Sequence, residues 1–200
     1  MQRPVDIALS IAALLVLSPL FVIVAVAIMV SSPGHPFYRG LRVGKDGRPF
    51  CIWKFRTMAP NAAAIGPAIT VKDDPRVTRL GRLLRKSKLD ELPQFINVLL
   101  GDMTLVGPRP EDPEIVTLYS TSERVVLSVR PGLTGVVQLA TADESETIPP
   151  GQLGREYYVQ HLLPRKLSQD LNYLETRTAL TDARILFRTL ALVVNRLIGI

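Results

Sequence analysis

The sequence predicts an α+β protein, mostly helical, with a membrane element at its N-terminus, a small β-hairpin and amphipathic helices. Three observations predict it. An almost unbroken apolar run extends from Ile7 to Val30. Two short β-prone runs follow, separated by a glycine-containing turn. Beyond them, apolar residues recur at helical spacing on segments whose other faces are basic. The 200 residues leave room for one ordinary domain plus the membrane element. An apolar content of 47% is enough to build a core.

The net charge of +6 comes from 24 basic and 18 acidic residues. It suits a surface rich in anionic lipid, a nucleic acid or a phosphorylated substrate, and charge alone does not choose among them. Aromatic residues, at 6%, are too few for a single-stranded nucleic-acid platform built on base stacking. The lone cysteine, Cys51, excludes an internal disulfide and is expected to pack as a small apolar strand residue. Two distant histidines, His35 and His161, argue against a Cys–His zinc cluster.

The apolar run is interrupted only by Ser10, Ser18 and Pro19. It is long for a signal peptide and lacks a clear small-x-small cleavage pattern. Pro19 has no amide hydrogen, and its ring crowds the carbonyl four residues back, at Leu15. The Ser18 hydroxyl is the nearest replacement donor for that carbonyl. A kink at this depth permits a helix-break-helix hairpin. Arg3 before the run, and Arg39, Arg42, Lys45 and Arg48 after it, give the positive flanks that a hairpin with both ends in the cytoplasm requires. Prolines are also tolerated in spanning helices, so the pattern leaves both topologies open.

Ser32-Pro33-Gly34 ends the segment. Phe37-Tyr38-Arg39 and Phe50 to Phe55 read as two strands joined by a turn at Gly44 to Arg48. Residues 61–69 read as a loop. A helix is expected from Asp74 as N-cap and Pro75 as first helical residue, with Val77, Leu80, Leu83 and Leu84 on one stripe and basic residues around it. Its basic face is either solvated or turned to lipid headgroups. A second helix is expected at once, capped by Asp90, buried through Phe95, Ile96, Val98, Leu99 and Leu100, and ended by Gly101. Two prolines stiffen Val106 to Pro110, and Arg130 to Gly135 forms another stiff turn presenting an arginine. Helix resumes after Gly154. From Asp182 to Ile200 an apolar stripe lies opposite Arg184, Arg188 and Arg196, which suits either the bilayer interface or docking on the core.

The pair Asp90-Glu91 is the strongest candidate for chemistry. At a helix start, the macrodipole would favour the ionised form of both. An ionised Asp is a usable nucleophile toward phosphorus. An ionised Glu beside it is a ligand for Mg²⁺, which binds through one or two carboxylates and substrate phosphates. Arg85, Lys88 and Arg109 lie close in sequence and could balance a diphosphate. Acidic residues at helix starts also serve simply as caps, so the pair alone does not decide.

The segments Trp53 to Met58, Asp74 to Gly81, Leu89 to Gln94, Asn97 to Leu99, Gly101 to Pro110 and Val129 to Gly135 occur in the order found in the bacterial sugar transferases. The chain resembles the small, monotopic phosphoglycosyl transferases of that family from about Pro4 to its last helix. The resemblance implies a re-entrant helix over residues 1–32, broken at Ser18-Pro19, and a catalytic domain over 33–200. It further implies location at the cytoplasmic face of the bacterial inner membrane, among its lipids. Asp90 would attack the sugar-linked phosphorus of a UDP-sugar and release UMP. Undecaprenyl phosphate, a polyprenyl phosphate, would then take the sugar phosphate from Asp90 and so initiate glycoconjugate or exopolysaccharide assembly. Glu91 would hold Mg²⁺, and Arg85, Arg109, Lys54 and Arg56 would lie near the phosphates. Relatives often continue after the Pro-Gly-x-Thr-Gly turn with Gln, two residues and Gly-Arg. Here Gln138 leads into Leu139-Ala140-Thr141-Ala142, so the arginine is missing and the sugar is not implied. The chain resembles a minimal catalytic unit, with homodimerisation left open. A non-catalytic membrane adaptor would leave Asp90-Glu91 without a role. Nucleic acid is not expected as a partner, since only the charge speaks for it.

Overall fold

A computed structural model describes residues 3–62, 74–140 and 154–199. Most of the expected 61–69 loop, the Asp74 helix's approach and the stretch after Ala140 lie outside these residues. The first helix, α1 (Arg3–Ser31), has 29 residues, about 44 Å at the α-helical rise. By length and composition it can cross a membrane. Helical structure continues through Ser18-Pro19, so two separate helices are not seen. The Ser18 hydroxyl donates to the Leu15 carbonyl at 2.8 Å, which supplies the donor that Pro19 lacks.

Both ends of α1 are tied to the rest of the chain. At its start, Arg3 donates to the carbonyls of Val98 and Leu99, and the buried Asp6 accepts from the Thr104 hydroxyl at 2.6 Å. At its end, Val24 and Ile28 pack with Phe55 and Leu84, while Arg56 donates to the Ser32 and Pro33 carbonyls, each at 2.8 Å. Between these anchors Leu15, Val16, Val22 and Ile23 are exposed.

The predicted hairpin is present: β1 (Phe37–Val43) pairs antiparallel with β2 (Pro49–Phe55), Gly40 opposite Ile52. A 3₁₀ turn at Lys45–Gly47 joins them, with Asp46 and Gly47 at positive φ. The next helix, α2 (Arg79–Ser87), starts later than expected. Asp74 is drawn into a chelate by Arg76, whose side chain reaches both carboxylate oxygens, at 2.9 and 2.6 Å, and Val77 bridges to Met58. The cap is Thr78, whose hydroxyl accepts from the Gly81 amide. Of the expected stripe, Leu84 is buried but Leu83 is 45% exposed.

After a 3₁₀ turn at Leu89–Glu91 come α3 (Gln94–Leu100), β3 (Thr104–Val106) and the short α4 (Pro113–Val116). A 3₁₀ stretch, Glu123–Ser128, leads to β4 (Gly132–Thr134), which pairs parallel with β3. Then come α5 (Val136–Ala140), α6 (Gly154–Tyr157), a π-helical turn at Tyr158–Leu162, α7 (Leu163–Thr176) and α8 (Ala179–Ile198). One core joins β2, α3, β3 and α8 through Ile52, Val98, Met103, Leu105 and Ile185. A second packs α4 and the 3₁₀ stretch against α7 through Ile115, Val126, Leu163 and Leu167. One exposed face of α8 is apolar, formed by Phe187, Leu190, Val194 and Leu197, with Phe187 exposed by 74%, and Arg184, Arg188 and Asn195 are exposed beside it.

Candidate active site: a buried carboxylate pair ringed by cations

Asp90 does not cap α3. It sits in the 3₁₀ turn between α2 and α3, where Lys88 takes a left-handed backbone (φ 61°) that reverses the chain direction. The turn buries Asp90 to 7% exposure and leaves its Oδ1 with no hydrogen-bond donor among the described residues. Burial, then the neighbouring Glu91, pushes the Asp90 carboxyl up to about 6. Lys54, Lys88 and Arg85 oppose that rise without cancelling it. The expectation that a helix dipole would hold Asp90 ionised is therefore corrected. The residue lies before α3 in a short turn, and desolvation dominates.

Glu91 goes the other way. Burial alone would raise it, but Arg109, Lys54 and Lys88 outweigh burial and hold it well below the usual carboxylate range. Its Oε1 accepts from Lys54 Nζ at 2.8 Å and from Arg109 Nη2 at 2.7 Å. Burial lowers the Lys54 ammonium, with Glu91 opposing it. Lys54 comes from the hairpin, Glu91 from the 3₁₀ turn and Arg109 from the proline-stiffened loop, so three elements meet at one carboxylate. Arg85 completes the ring from α2, its Nε donating to the Thr57 hydroxyl at 2.9 Å.

The structure thus brings together Asp90, Glu91, Lys54, Arg85 and Arg109. Arg56 does not join them, because its guanidinium is bonded to the end of α1 at Ser32 and Pro33. The resemblance implied a place for it beside Lys54 near the phosphates. The chain leaves β2 at Phe55, so the two side chains serve different neighbours.

Several supporting residues had no clear signal in the sequence. The fully buried Asn97 accepts from the Trp53 amide at 2.8 Å and donates to the Cys51 carbonyl at 2.8 Å, which pins the strand carrying Lys54 to α3. Its side-chain amide carries an acceptor oxygen and a donor nitrogen side by side, so one residue fills both roles. A Cβ on Gly81 would fall 2.0 Å from the Thr57 carbonyl oxygen. That glycine lets α2 approach the strand exit closely enough for Arg85 to reach Thr57. On the far side of the Arg109 loop, Glu111 accepts from Lys166 Nζ at 2.7 Å and from the Tyr158 hydroxyl.

Among the described residues no group of three or more His, Cys, Asp or Glu side chains is arranged to hold a metal. The donor set fits Mg²⁺ in the one way open to so few ligands: two adjacent carboxylates, one with an oxygen lacking any donor, plus phosphate oxygens from a substrate.

A domain carried by an apolar helix, with a buried carboxylate pair inside a ring of cations, defines a membrane-associated class suited to phosphate chemistry. Within that class, the chain belongs to the bacterial sugar transferase family, which it matches over residues 1–196. It is 35% identical over 199 residues to the UDP-glucose:undecaprenyl-phosphate glucose-1-phosphate transferase of Escherichia coli K12, covering 94% of this chain and 39% of that protein. It is 33% identical to the exopolysaccharide production protein ExoY of Sinorhizobium fredii, covering 94% of this chain and 83% of that protein. It is 35% identical to the UDP-N-acetylgalactosamine-undecaprenyl-phosphate N-acetylgalactosaminephosphotransferase of Aeromonas hydrophila, covering 94% of this chain and 42% of that protein. The chain therefore spans about two fifths of the first and third relatives and most of the second.

Proposed function

We propose that this protein transfers a sugar 1-phosphate from a UDP-sugar to undecaprenyl phosphate, with Asp90 as the nucleophile. The observation that carries this is the buried Asp90 carboxylate, with one oxygen lacking a donor among the described residues, beside a Glu91 already held by two cations. The relatives' names, which pair UDP-sugars with undecaprenyl phosphate, supply the two substrates.

In the first step an Asp90 oxygen attacks the phosphorus bonded to the sugar. The new Asp–O–P bond forms as the bond to the bridging oxygen of the diphosphate breaks, and UMP leaves with that electron pair. In the second step an oxygen of undecaprenyl phosphate attacks the same phosphorus, Asp90 leaves as carboxylate, and the polyprenyl diphosphate sugar departs. Two steps spare the site from bringing a doubly charged donor and a charged acceptor together at once. Lys54, Arg85 and Arg109 offset phosphate charge. Glu91, with Asp90, would hold Mg²⁺, which when bound neutralises charge on the diphosphate.

The acceptor's hydrocarbon chain requires the site to lie at headgroup level. The exposed middle of α1, the exposed Phe187-Leu190-Val194-Leu197 face of α8 and Leu83 amid Arg79, Arg82 and Lys86 support contact with the bilayer. Because both ends of α1 are anchored to one domain, a re-entrant path that enters and leaves by the cytoplasmic face is favoured over a spanning one. Residues 1–32 then form the membrane element and 33–200 the catalytic domain. The test is Asp90→Asn in membranes supplied with a UDP-sugar panel, Mg²⁺ and undecaprenyl phosphate. UMP release should fall by at least ~10³-fold, the order seen when a nucleophile is removed, with the melting temperature kept. Full turnover in the variant would remove the assignment.

A further inference from the structure

The first turn of α1 meets the start of β3 and the turn before β4 around a polar cleft of about 210 Å³. Arg3, Asp6, Lys45, Thr104, Arg130 and Arg177 line it. It shares no residue with the ring around Asp90 and Glu91. Arg177 is paired with Asp182 at 3.2 Å, and Asp6, the one carboxylate in the lining, accepts from the Thr104 hydroxyl at Oδ2, while its buried Oδ1 has no donor among the described residues. The other three cations have no carboxylate partner among the described residues. Arg3 and Arg130 hydrogen-bond carbonyls, the latter to Gly101 at 2.8 Å. Those bonds hold each guanidinium in place and leave further N–H donors, since each carries five. Lys45 is exposed in the hairpin turn. Unpaired cations sharing one cleft repel each other, and a phosphate accepting from several of them relieves that repulsion.

The position of the cleft says where such a phosphate comes from. One turn further along α1, Val5 and Leu9 are exposed, and Val16 continues their face at an offset of seven from Leu9. The cleft and this apolar stripe share the first turns of α1, with Leu9 three residues from the cleft-lining Asp6. We propose that this cleft holds the phosphate of an anionic phospholipid whose acyl chains lie along the Val5-Leu9-Val16 face. The inference takes from the preceding section only that α1 lies in the bilayer. A soluble phosphate ester offers the same phosphate without chains, so the test must separate the two.

The full chain, purified in neutral detergent, is incubated with phosphatidylglycerol or phosphatidylcholine and bound lipid is counted by native mass spectrometry. Phosphatidylglycerol should be retained about tenfold over phosphatidylcholine, and Lys45→Glu should bring it down to the phosphatidylcholine level. Lys45→Gln, which only removes the charge, should fall between the two and guards against a folding defect in the reversal. Equal retention of both lipids, or wild-type retention of phosphatidylglycerol in both variants, overturns the site. If glycerol 3-phosphate alone raises the melting temperature as much as phosphatidylglycerol does, the cleft takes a soluble ester and the lipid assignment fails. Sugar-phosphate transfer by the Lys45 variants should match wild type. Absence of transfer in wild type would count against the transferase reading and leave lipid retention as a separate result.

Discussion

Asp90 and Glu91 are neighbours in the chain, yet their surroundings push them in opposite directions. Glu91 is ionised throughout the useful pH range because two cations touch it, whereas Asp90 is desolvated and shares the field of that ionised neighbour. In its proposed role as nucleophile Asp90 must be ionised, so lowering the pH through about 6, which protonates it, should remove activity. Initial rates of UMP release between pH 5 and 8 should show an acid limb governed by one group in that region. A rate that stays flat down to pH 5 would contradict the raised value. Asp170 offers a parallel case away from the site. Burial pushes its carboxyl up to about 7, with Lys166 opposing and Glu111 adding to the rise, and its Oδ1 lacks a donor among the described residues. The folded state therefore binds this proton more tightly than the unfolded chain. That contribution is fully present below about pH 4 and is lost as the pH rises through about 7. Asp170→Asn should stabilise the protein by about 1–3 kcal/mol at pH 8, with the difference closing at pH 4. Denaturant melts at the two pH values measure it.

At the level of elements, the site depends on how closely three pieces of backbone approach one another. Helix α2 lies against the strand exit at Thr57, and no side chain fits at Gly81. Gly81→Ala should cost about 1–3 kcal/mol, as overpacking does, and should lower transfer activity by moving Arg85 from Thr57. Wild-type melting and activity in that variant would mean that the contact is loose. The turn carrying Asp90 depends equally on its borders, with the left-handed Lys88 before it and the buried Pro93 after it. On the other side, Asn97 fixes the hairpin through two bonds, so Lys54 reaches Glu91 from a strand that cannot slide.

Across the whole molecule, the proposed membrane location rests on α1. Its first turn is bound to α3 and β3, and its last to the hairpin, while between them Leu15, Val16, Val22 and Ile23 stay exposed. With both anchors on one body, the two ends should face the same compartment. Single cysteines at Pro4 and His35, both exposed, introduced with Cys51 replaced by Ala, should be labelled together from the cytoplasmic side of oriented vesicles. Labelling of the two from opposite sides would require α1 to span the membrane.

Much of this protein is written in local sequence. The apolar run, the hairpin, Ser18 as donor for Leu15 and the proline-stiffened loop all follow from hydropathy, turn chemistry and steric rules that act within a few residues. The Asp90-Glu91 pair and most of its cations were equally legible, because acidic and basic residues crowd together in the chain itself. Local rules misjudged the start of α2, where Arg76 captured the expected cap Asp74, and they misjudged Arg56, whose partner at Ser32 becomes a neighbour only when the hairpin folds back on α1. They also assigned both carboxylates the same ionisation. Only the tertiary structure decided which of the two keeps a buried oxygen without a donor among the described residues and which is clasped by Lys54 and Arg109. The physical reason is that burial and charge pairing depend on residues brought in from distant parts of the chain, whereas strand, helix and turn preferences depend on near neighbours.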